Sequence, residues 1–150
     1  MKSETHRLFE NFINYLTDEP NPKVLYHFTR GEGVYNILKR NELVGMDNYQ
    51  VSFTSDETYA GNGFQPMEKT TAVLVFDARK LAQDYTIERY VYNKDDSASF
   101  DDYVNEYEWV IENKVENILD YLIFIGDNGM YEDDLVRIEQ DFPEVLIELW

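Results

Sequence analysis

Three short segments of this 150-residue chain carry side chains that could do chemistry together. In Glu106-Tyr-Glu108-Trp-Val-Ile111 the spacing of two sets both carboxylates on one face of a strand, about 7 Å apart. Like charges that close, opening a strand that then turns apolar, are unfavourable without compensation. Glu-x-Glu also arises by chance in a glutamate-rich chain, so its placement carries more weight than its presence. Leu25-Tyr-His27-Phe28-Thr29 reads as strand, with Val24, Tyr26 and Phe28 on one side and His27 and Thr29 on the other. A lone strand histidine more often serves the structure than a ligand. Here it shares a face with a threonine and precedes a break at Gly31 and Gly33. Val51-Ser52-Phe53-Thr54-Ser-Asp56 places Ser52 and Thr54 on one face and Phe53 on the other. It then runs into Tyr59 and Gly61-Asn-Gly-Phe64, and Ser55 or Asp56 can cap a following helix. Together these segments supply an imidazole, hydroxyls and fixed negative charge.

Other chemistries are poorly served. His6 and His27 are the only histidines and cysteine is absent, so a zinc site would need carboxylates for most of its ligands. Metal ligands are therefore not expected. No Walker motif, GxGxxG or glycine-flanked serine elbow occurs. Gly126-Asp-Asn-Gly129 lacks EF-hand spacing and reads as a turn.

The positioning elements follow from periodicity. Leu8, Phe9, Phe12, Ile13 and Leu16 predict an amphipathic helix over about 3–17, stopped by Pro20 and Pro22. Strands are expected at Val24–Thr29, Leu43–Val44, Val51–Thr54, Thr71–Asp77, Thr86–Tyr92, Glu106–Ile111, Tyr121–Ile125 and Val145–Leu149. Helices are expected through Val34, Ile37 and Leu38, over Ala78–Asp84, briefly around Asn117, and over Glu132–Phe142. Thr71–Asp77 should be buried on both faces, and 93–102 is a polar loop. Short strands mixed with short helices, without βαβ regularity, indicate an α+β fold. No linker or repeat divides the chain, so 1–150 is read as one domain.

A chain of this length buries roughly 70% of the surface it exposes when unfolded. The 43% of apolar residues supply that core. Thirty acidic against 13 basic side chains give a net charge of −17, which argues against binding a nucleic-acid backbone or an anionic lipid surface. No apolar window approaches the length of a membrane span, and the first residues lack the features of a signal peptide. A soluble cytoplasmic protein is expected.

Taken in order, LYHFT, VSFTSD and EYEWVI resemble the motifs of the ADP-ribosyltransferase fold family, particularly its small phage and bacterial members. The likeness runs from about Val24 to Ile125 and rests on order and spacing more than identity. It implies two small, mostly antiparallel sheets with short flanking helices, forming an NAD-binding cleft. In that reading His27 bonds the adenine-side ribose, and the backbone at Phe28 and Thr29 holds the nicotinamide amide. Ser52 and Thr54 line the cleft, and Phe53, Phe64 and Tyr59 stack on the nicotinamide ring. Arg30 and Lys39 are the nearby cations for the diphosphate. The resemblance gives Glu108 the catalytic role of stabilising an oxocarbenium-like ribose, while Glu106 orients or deprotonates the acceptor. Where relatives often carry tyrosine, this chain has Phe53 and Phe64. The implied function is NAD-dependent mono-ADP-ribosyl transfer to a macromolecule, a protein before a nucleic acid, as in a phage effector or bacterial toxin. Two alternatives stand beside it: an acidic, non-catalytic inhibitor that covers a basic surface, and an NAD glycohydrolase.

Overall fold

The computed structural model describes residues 22–45, 50–55, 70–89 and 108–150. The expected helix over 3–17 and loop over 93–102 lie outside these residues, as do Glu106, Tyr59 and Phe64.

The larger sheet is organised around one apolar run. Strand β4 (Ala72–Asp77) is buried at every position but its last. Its alternation feeds two clusters: Leu74 and Phe76 enter the larger core, while Val73 and Val75 enter a smaller one on the opposite face. A strand apolar on both sides needs partners at both edges and cover on both faces. It pairs antiparallel with β1 (Val24–Thr29) over six rungs on one side and with β8 (Leu122–Asp127) on the other. Among the described residues the order is β5-β6-β3-β1-β4-β8-β9, where β3 is Gln50–Thr54, β5 Glu88–Arg89, β6 Glu108–Glu112 and β9 Ile147–Leu149. All pairings are antiparallel except β8–β9. A second sheet joins β2 (Glu42–Val44) to β7 (Lys114–Glu116). Two sheets were expected, and they are unequal because β4 joins both halves of the larger one.

Helices cover the larger core cluster. Val34, Tyr35 and Leu38 form the buried stripe of α1 (Gly31–Arg40). It ends on Asn41 in the left-handed region (φ 56°), whose N–H returns to the Ile37 and Leu38 carbonyls. Asp77 caps α2 (Ala78–Asp84), accepting from the Arg79 and Lys80 amides at 3.0 and 3.2 Å. The first turn of α3 (Glu132–Asp141) carries three acids where the helix dipole favours them. The brief helix expected around Asn117 is one 3₁₀ turn, Ile118–Asp120, with Asn117 at its N-cap, whereas β7 just before it was not expected. With three residues and only Val115 buried, β7 is too short for alternation to reveal.

The smaller cluster is closed by the chain's last residue. Trp150 lies 5.8, 6.4 and 6.1 Å, ring to ring, from Tyr26, Phe28 and Phe124. Gly126 makes room for it: a β-carbon there would stand 2.4 Å from Val73 Cγ1 and 2.8 Å from the indole. Gly126→Ala should therefore lower stability by about 1–3 kcal/mol through overpacking. A denaturation midpoint equal to wild type would refute this close fit.

Candidate functional site

Strands β1, β3 and β6 lie side by side, so the three segments singled out by their side chains meet. The junctions differ. Between β3 and β6 the register is regular from Gln50↔Glu112 to Thr54↔Glu108. Between β1 and β3 it contains one pair, Tyr26↔Thr54. Tyr26, Thr54 and Glu108 thus form one continuous rung across three strands.

Next to that rung, a side chain takes over as the cross-strand link. Nδ1 of His27 lies 2.8 Å from the Ser52 carbonyl oxygen. A carbonyl only accepts, so Nδ1 carries the hydrogen and the neutral ring keeps Nε2 as an acceptor. Burial holds this imidazole below its ordinary pKa, and the bond to Ser52 opposes that shift only in part. Half-buried, the ring sits 5.8 Å from Phe53, centroid to centroid.

Ser52 also serves the carboxylate. Alternation turns Glu108 to the Ser52 and Thr54 face, close enough for the Ser52 hydroxyl to act on its titration. Partial burial raises the Glu108 carboxyl above the usual range, and the hydroxyl pulls it back. Strict alternation would separate His27 from Glu108, since one belongs with Phe53 and the other with Thr54. Ser52 reconnects them, its carbonyl engaging the imidazole and its hydroxyl the carboxylate.

The raised carboxyl has a consequence for stability. Its proton is held more tightly in the folded than the unfolded chain, so ionised Glu108 opposes folding. That cost is absent below the unfolded carboxylate value and develops as pH rises through the folded one. His27 acts in the other sense: its lowered folded value gives stability that is lost as pH falls. Glu108→Gln should therefore melt above wild type near pH 7, with the gap closing toward about pH 4. Equal melting at both pH values would count against burial of this charge.

The remaining candidates fall in several places. Phe53 is 3% exposed and meets Phe76 edge-on at 5.7 Å, so it braces the imidazole from the core and offers no open face for stacking. Phe28 and Thr29 occupy rungs opposite Val73 and Ala72. Arg30 is exposed at the start of α1, without a side-chain capping bond. Lys39 stands in the last turn of that helix, roughly 13 Å further along at 1.5 Å per residue, so the two cations do not share a site. Sequence reasoning does not single out Trp109. Its signal was available in an aromatic residue beside the candidate carboxylate and on the opposite strand face.

A cavity of about 300 Å³ lies elsewhere, walled by Asp84, Tyr85, Thr86, Glu88, Val110 and Glu112. None of its walls belongs to the candidate set. Asp84 is engaged by the Tyr121 hydroxyl at 2.6 Å, which pushes that phenol up to about 12. Among the described residues, no group of three acidic or histidine side chains is placed to hold a metal. None of their helices is long and apolar enough to cross a membrane.

No protein-family model matches the chain, and no curated protein matches it. Among solved structures it is similar to DarT of Thermus sp. 2.9, an ADP-ribosyltransferase determined in complex with carba-NAD+. The TM-score is 0.58 at 14% identity, covering 88% of this chain and 96% of that one. The fold is ADP-ribosyltransferase-like.

Proposed function

We propose that this protein is an NAD-dependent mono-ADP-ribosyltransferase whose catalytic carboxylate is Glu108. The observation that carries the reading is the adjacency of β1, β3 and β6, which sets His27, bonded to the Ser52 carbonyl, and Glu108, opposite Thr54, on either side of one strand. The fold likeness to an enzyme bound to an NAD analogue supports it.

The side chains fit the steps of such a transfer. Nε2 of neutral His27 accepts a hydrogen bond from a ribose hydroxyl. As the bond between C1′ and the nicotinamide nitrogen breaks, its electron pair leaves with nicotinamide and positive charge grows on the ribose. Ionised Glu108 stabilises that charge, which exists mainly in the transition state. Partial burial strengthens the attraction. The acceptor then bonds to C1′ and gives up a proton, a role for Glu106 within Glu-x-Glu. A −17 chain repels a phosphate backbone, so a protein acceptor is the better partner. Arg30, exposed just after β1, is the proposed cation for the diphosphate.

The test is incubation with NAD labelled in the ADP-ribose and nicotinamide moieties, with and without lysate proteins. Nicotinamide release together with label on a protein is the expected result. Release without transfer would identify a glycohydrolase. Neither, from folded protein, would remove NAD chemistry and leave the acidic inhibitor.

A further inference from the structure

Among the described residues, Glu108 occupies the last rung of the β3–β6 ladder. Ladder ends fray more readily than their middles, and this rung carries the carboxylate.

The opposite face supplies the closure. Trp109 pairs with Phe53 on β3 and, at its other edge, with Arg89 on β5. Its half-buried indole packs against the larger core cluster. The indole Nε1–H donates to Oγ of Ser55 at 3.3 Å. Ser55 directly follows Thr54, the residue facing Glu108, so this bond crosses the junction one residue past its final backbone rung. Diagonal neighbours in a sheet are within reach of an aromatic side chain, and that geometry is used here.

We propose that Trp109 is a positioning residue for Glu108, clamping the Thr54–Glu108 rung of β3 and β6 through Ser55. Its part in turnover rests on the transferase reading above, while the clamp itself is a property of the fold. Trp109 packs on the core and bonds Ser55, so it acts through the strand that carries the carboxylate. Misplacement by 1 Å can cost about 10²-fold in rate, so loosening one rung should cost about 10-fold.

The experiment compares Trp109→Phe, Ser55→Ala and the double variant in the full chain. Each single change should lower kcat for nicotinamide release about 10-fold, with KM for NAD within about twofold. The double should fall no further than either single, because both remove the same bond. Amide exchange provides a readout that needs no turnover. At the Thr54–Glu108 rung it should quicken about 10-fold in each variant, while the Ser52–Val110 rung stays as in wild type. Additive losses in the double, a rise in KM in place of a fall in kcat, or unchanged exchange at the end rung would overturn the clamp. Wild type that releases no nicotinamide would refute the transferase reading, and the exchange data would still decide the clamp.

Discussion

Glu108→Gln is expected to slow nicotinamide release from NAD by about 10²-fold or more, while the protein stays folded and melts no lower than wild type. The magnitude follows from what the change removes. Glutamine keeps the size of the side chain and an oxygen that can accept from Ser52, so ground-state contacts survive. It loses the full negative charge that meets the developing positive ribose. Removing one preorganised electrostatic group typically costs about 10²–10³-fold, or roughly 3–4 kcal/mol of barrier. The loss should fall on kcat, with KM for NAD little altered, because the charge matters most in the transition state. Steady-state kinetics on both proteins checks this. A variant that retains most of its kcat would leave Glu108 a surface acid on an acidic protein, and another carboxylate would have to be sought. The stability half is a separate measurement, since relief of a partly buried charge should raise melting near neutral pH.

Phe76→Ala should cost about 3–5 kcal/mol of folding stability. Phe76 is fully buried at the penultimate position of β4 and meets Phe53 edge-on. Truncation removes a large apolar side chain and leaves a cavity that strands paired on both edges cannot collapse to fill. For a chain of this length that corresponds to a fall of roughly 10 °C or more in melting temperature. The effect should reach the site as well. Phe53 stands between Phe76 and His27, so its support beneath the imidazole is lost. Calorimetry gives the stability change, and imidazole chemical shifts report the ring. Should stability fall by less than about 1 kcal/mol, the picture of β4 as a rigid two-sided core strand would be wrong.

How much could be read before folding differs from residue to residue. Leu74 and Phe76 against Val73 and Val75 were assignable from the run they occupy, because a β-branched apolar segment that never turns polar must be buried on both sides. Side-chain alternation likewise placed Val24, Tyr26 and Phe28 together, and these three pack in or against one cluster. A helix beginning at Ala78, and the glycine break after Thr29, were equally visible. Alternation is a local property of the pleat, so a local reading recovers it.

Which strand lies beside which is not local. The chain itself determined the faces of β1, β3 and β6 and the residue types they carry. Only the tertiary structure decided that Thr54 faces both Tyr26 and Glu108, and that β1 and β3 share a single registered pair. The bridging duty of Ser52 follows from that arrangement, as do the retreat of Phe53 into the core and the indole bond across the last rung. Each depends on register between segments far apart in the chain. A shift of one residue would turn every such side chain to the other face, and no periodicity within a single strand records that choice.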